Sequence, residues 1–133
     1  QSLRYNATDV DGICVVAKLN HRLGQYANAI PHFLRCLDGM HLESAEEAAE
    51  LHSLVASTYS ELNQKASAAD HFRKAVALAP QSFEHRMNLG SVLAQHSQWV
   101  AAKRAFSGAL PFAATPEETA RVKTYLEEVS KMS

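Results

Sequence analysis

Two cysteines in 133 residues are too few for a disulfide framework, which excludes a small cross-linked scaffold. Cys14 and Cys36 read instead as reduced thiols, small and apolar enough to be buried. No apolar run approaches the roughly 18 residues that a membrane span needs, and no segment has the order of a signal peptide. Neither sign of charge is in excess. Thirteen Lys and Arg against fourteen Asp and Glu give a formal charge of -1, which removes the usual reason to expect nucleic acid or an anionic membrane as partner. Signatures of chemistry are missing too: there is no His-Glu-x-x-His, no Cys-x-x-Cys and no phosphate-cradling glycine loop. The seven histidines contain no i, i+4 pair and read as structural or surface residues, so no catalytic residue, metal site or cofactor is expected. A first residue that is Gln rather than Met reads as an excised or processed piece, and the Asn6-Ala7-Thr8 triplet carries no weight as a glycosylation site.

What is present is a pattern that repeats. Ala56, Tyr59, Ala68, Phe72, Ala75 and Pro80 are followed at the same relative spacing by Gly90, Leu93, Ala102, Phe106 and Ala109. They are preceded by Ala17, Asn20, Ala29, Phe33 and Cys36. A period near 34 residues marks a helical repeat array. The pattern has a physical purpose: small residues let two antiparallel helices approach, and each Phe, four residues after a small one on the same face, fills the space beside them. With 47% hydrophobic residues, one domain of this length buries a core.

On these residues the chain resembles the tetratricopeptide repeat family over about residues 10–114. The resemblance implies an all-α solenoid of three helix-turn-helix repeats (about 10–43, 44–82 and 83–114) plus a C-terminal capping helix (about 116–131), all in one domain.

In chain order, Thr8-x-x-Asp11 is a capping pair for the first helix, whose buried stripe is expected to be Ile13, Val16, Ala17, Leu19 and Leu23. Gly24 ends it. The second helix begins near Asn28 or bends at Pro31. The period stretches to 39 residues between Phe33 and Phe72, so an insertion lengthens the connection from Asp38 to Glu43 or the start of the next helix. Ser44-x-x-Glu47 and Ser67-x-x-Asp70 open the third and fourth helices, with Asn63 as the turn residue between them. Thr115-Pro116-Glu117-Glu118 starts a final helix that buries Val122, Tyr125, Leu126 and Val129 over the open end of the stack. The N-terminal side has no equivalent cap, which leaves self-association there as one partner expectation. Leu3 and Tyr5 read as a frayed end or docking tail.

The resemblance implies a groove lined by the first helix of each repeat. By repeat position this gives Asp11, Cys14, Lys18 and His21, then Glu50, Ser53, Ser57 and Ser60, then Glu84, Met87, Asn88 and Ser91. One branch of the family grips chaperone C-terminal carboxylates with Lys, Asn and Arg. The matching positions here are Cys14, Lys18, Leu54, Glu84 and Asn88, which do not reproduce that clamp. The expected function is non-enzymatic binding of a peptide or helix of a partner protein, as an adaptor or scaffold. The alternatives are a secretion-type chaperone and a rigid spacer or self-association domain of a larger protein. The expected compartment is intracellular and cytoplasmic.

Overall fold

The computed structural model describes residues 7–39 and 44–132. Helices α1 (Ala7–Arg22) and α2 (Tyr26–Gly39), α3 (Ala45–Glu61) and α4 (Lys65–Leu78), and α5 (Phe83–Gln95) and α6 (Trp99–Ala109) form three antiparallel hairpins. A 3₁₀ turn (Leu110–Phe112) leads to α7 (Pro116–Met132). Each helix packs chiefly on its sequence neighbours, so the hairpins stack in chain order and α7 lies against α6.

Each hairpin closes through the same turn. Gly24, Asn63 and Ser97 adopt positive φ (78°, 61° and 58°). The amides of Gly24 and Gln25 donate to His21 and Asn20 carbonyls, those of Asn63 and Gln64 to Ser60 and Tyr59, and those of Ser97 and Gln98 to Ala94 and Leu93. A left-handed residue flanked by these two bonds satisfies the orphaned carbonyls of a helix end. Three different residues therefore serve one geometry.

Inside the hairpins the small residues are the points of closest approach. Ala17, Ala29, Ala56, Ala68 and Ala102 are fully buried, and the Phe33, Phe72 and Phe106 rings lie beside them. At Gly90 a methyl group would come within 2.5 Å of Phe106 Cε1, so only glycine admits that ring. Two clusters result. One gathers Phe33 and Val55 around α1 to α3, and the other gathers Phe72, Met87 and Phe106 through to Val122 and Val129 of α7.

Several elements depart from expectation. Helix α1 starts at Ala7, so Thr8 lies within the helix. Cys14 and Ala17 are its buried residues and Ile13 is half-buried, whereas Val16, Leu19 and Leu23 are exposed, together with Val15. Among the described residues no element packs against that outer face. Helix α2 starts at Tyr26 and runs continuously through Pro31, giving up the bond that a Pro31 amide would have made to the Ala27 carbonyl. Helix α4 starts at Lys65, with Gln64 at its cap and no side-chain cap bond, so Ser67 and Asp70 sit within it. Ser44 accepts from the Glu47 amide as expected, and Ser82, not anticipated, accepts from the His85 amide to cap α5. At α7, Thr115 Oγ1 accepts from the Glu118 amide while Glu118 Oε1 accepts from the Ala114 amide. Tyr125 remains 37% exposed, but its ring lies 5.2 Å from that of Phe106. The expectations for Leu3, Tyr5 and the Asn6 triplet, and the Met40 to Glu43 part of the insertion, fall outside the described residues.

The largest correction concerns sulfur. Cys14 and Cys36 are buried as expected but bonded to each other, with Cα atoms 5.1 Å apart, and they tie α1 to α2.

Candidate functional site

Helices α1 and α3, the C-terminal part of α2, the α4–α5 connection and the start of α5 leave a groove of about 2030 Å³ between them. Lys18, Glu50, Ser53 and Ser57 line it, with the Cys14–Cys36 bridge in its wall. Ser57 also borders a smaller recess of about 180 Å³, where Ser60, Asn88 and Ser91 lie. With Asp11 and Cys14, which also line the larger groove, nine of the twelve sequence-derived groove residues border these two hollows.

The other three are placed differently. Met87 is 1% exposed, inside the second cluster. Glu84 is exposed, but its carboxylate accepts from both terminal nitrogens of Arg121 at 3.3 Å. That guanidinium also lies 5.6 Å from the centre of the Phe83 ring, and its pKa is raised, chiefly by the Glu84 bond. The pair fastens α7 to α5. His21 turns away from the groove: its Nδ1 lies 2.8 Å from Thr58 Oγ1, and the fully buried Thr58 hydroxyl donates to the Leu54 carbonyl. With its one proton committed, the hydroxyl accepts, so His21 carries its proton on Nδ1. This bond ties the first hairpin to the second.

Two further histidine arrangements lay beyond sequence reasoning. His52 of α3 and His71 of α4 meet with Nδ1 atoms 3.0 Å apart, and Tyr59 stacks on His71 with ring centres 5.5 Å apart. One ring must donate and the other accept, so the pair is stable neutral. Burial pushes His52 below its usual pKa and His71 down to about 4, and Lys74 adds repulsion to both. The second arrangement is His85, 5% exposed at the groove wall, whose Nε2 is 3.6 Å from Glu50 Oε2 and whose Nδ1 has no partner. Arg86 donates to the Pro80 carbonyl at 2.8 Å and lies over the Phe112 ring. Among the described residues no three His, Cys, Asp or Glu side chains converge as metal ligands, and no helix is long and apolar enough to cross a membrane.

Stacked helical hairpins with an open groove along their first helices define the class as an α-solenoid of helical repeats. The sequence pattern of the tetratricopeptide repeat matches residues 14–81, slightly more than half of the chain, and the chain belongs to that family. No curated protein matches it. Among solved structures, the Yersinia enterocolitica type III secretion chaperone SycD, in complex with a peptide of the translocator YopD, superposes with a TM-score of 0.79 at 14% identity, covering 96% of this chain and 97% of that one. The first repeat domain of Spaghetti (RPAP3), bound to the HSP90 peptide SRMEEVD, gives 0.75 at 18% identity, covering 95% and 94%. The TPR2B domain of yeast Sti1, in an Hsp70 complex, gives 0.76 at 13% identity, covering 96% and 100%. At such identities the likeness is one of fold.

Proposed function

We propose that this chain is a non-enzymatic interaction module, an adaptor or scaffold that takes a peptide or helix of a partner protein in the groove between α1, α3 and α5. The observation that carries this reading is the groove itself, whose lining includes Ser53 and Ser57, side chains short enough to leave room for those of a partner. Structures of the same fold hold peptides from HSP90 and YopD. A random dodecapeptide display library selected on the wild-type chain, then counter-screened on Ser57→Trp, tests it. Peptides retained by the wild type and lost by the variant, with circular dichroism unchanged, support groove binding; peptides that bind both equally overturn it.

A second reading, a chaperone for a secreted translocator segment, draws on the superposition with SycD over nearly the whole of both chains. It requires a free-standing protein of about this size, so the mass of the native protein separates it from an adaptor domain within a longer chain.

The compartment turns on the Cys14–Cys36 bridge. Disulfides persist where the surroundings are oxidising, and a cytoplasmic, intracellular location requires these two sulfurs to be held as thiols. Alkylation of the protein at the moment of extraction, read as a mass shift, decides between the two.

A further inference from the structure

The groove is unevenly charged. Among the described residues, Asp11, Glu46, Glu47 and Glu50 line it against a single ammonium, Lys18, although the whole chain has a net charge of only -1. Glu46 and Glu47 have a structural reason to be acidic, since they occupy the first turn of α3, where the helix dipole favours negative charge. Asp11 and Glu50 lie beyond the first turns of α1 and α3 and have no such reason. Among the described residues no ion pair engages Asp11. Glu50, its side chain 78% exposed, has only the His85 imidazole at 3.6 Å, a distance too long for a hydrogen bond. His85 itself lines the groove almost fully buried, with Nδ1 unpartnered. Carboxylates on α1 and α3 and an imidazole on α5 are thus left with unused hydrogen-bonding capacity around the groove, and the half-buried Leu54 and Leu78 line it as apolar surface.

Building on the groove reading above, we infer that the occupant is an amphipathic cationic segment of a partner protein. Its Lys or Arg head groups meet Glu50 and Asp11, and its apolar side chains lie on Leu54 and Leu78. An acidic tail such as the SRMEEVD peptide held by the RPAP3 domain is repelled by the same wall.

Fluorescence anisotropy of two labelled amphipathic peptides, one patterned with Leu and Lys and the other with Glu in place of every Lys, tests this on the whole chain. The Lys peptide should bind, weaken as salt rises, and lose about fivefold in affinity in Glu50→Gln and again in Asp11→Asn, but not in Glu127→Gln on exposed α7. An affinity unchanged in both groove variants, equal or tighter binding of the Glu peptide, or no binding of either peptide overturns the inference. Ser57→Trp, or Ser53→Trp should that variant fail to fold, separates the two levels. A Glu peptide displaced by the tryptophan leaves the groove in use with the opposite charge preference. A peptide bound equally with and without it overturns the groove itself.

Discussion

At the scale of single residues, the array depends on where side chains are absent. Gly90 faces Phe106 so closely that a methyl group would lie 2.5 Å from the ring, and the Tyr125 ring also lies against Phe106. Gly90→Ala is therefore expected to destabilise the fold by about 1–3 kcal/mol through overpacking, even though alanine is the better helix former. Urea denaturation measures it, and a stability equal to or above wild type would mean that the hairpin relaxes there. This contact was legible in the sequence because Gly90 aligns with Ala17 and Ala56. Asn63 and Gly24 were legible as turn residues by type, but Ser97 was not. Serine has no preference for positive φ, and only the repeat spacing, 34 residues after Asn63, points to it.

At the scale of helices, the sequence's limits have one cause: it records which residues share a face but not what covers that face. Helix α1 is apolar on most sides, with Ile13, Val15, Val16 and Leu19 close together, so periodicity alone assigned its stripe wrongly. The side that packs is the one bearing Cys14 and Ala17, aligned with the small residues of later repeats. The His52–His71 contact and the Cys14–Cys36 bridge were missed for a related reason. Each pair lies at nearly equal distances before and after a hairpin turn, Asn63 or Gly24, and such pairs meet across antiparallel helices without any short spacing between them. The histidine pair has a consequence in pH. Its neutral form is favoured in the folded state and the unfolded rings titrate near pH 6.5, so the unfolded chain binds more protons as pH falls from there towards 4. Stability should fall across that window, with Asp70 partly offsetting the loss at His71. Melting temperatures compared between wild type and His71→Gln check it: the variant should show a shallower decline, and parallel curves would remove the pair from the cause.

At the scale of the molecule, the three hairpins are not equally secured. The last is covered by α7 and fastened by Arg121 to Glu84, and the middle one is enclosed by its neighbours. The first has one packed neighbour among the described residues and is reinforced covalently. Closing a loop of 22 residues' separation limits the unfolded chain by roughly 3 kcal/mol, so reduction should lower the melting temperature, most of all for the first hairpin. Hydrogen exchange with and without reductant locates the effect; protection lost equally in α5 and α6 would mean the array unfolds as one unit. The overall architecture and most of the groove followed from the repeat. The bridge did not, because a count of two cysteines says nothing about whether they face one another.

Among the described residues the row of Val15, Val16, Leu19 and Leu23 on α1 is uncovered, which makes the two ends of the stack unlike. In engineering terms, one end is terminated and the other is a template. A consensus hairpin grafted ahead of α1 would find a ready-made surface to dock on, whereas the same graft after α7 would meet the exposed Glu127, Glu128 and Lys131 and gain nothing. Lengthening this protein is therefore a directional operation, and the direction is set by four aliphatic side chains.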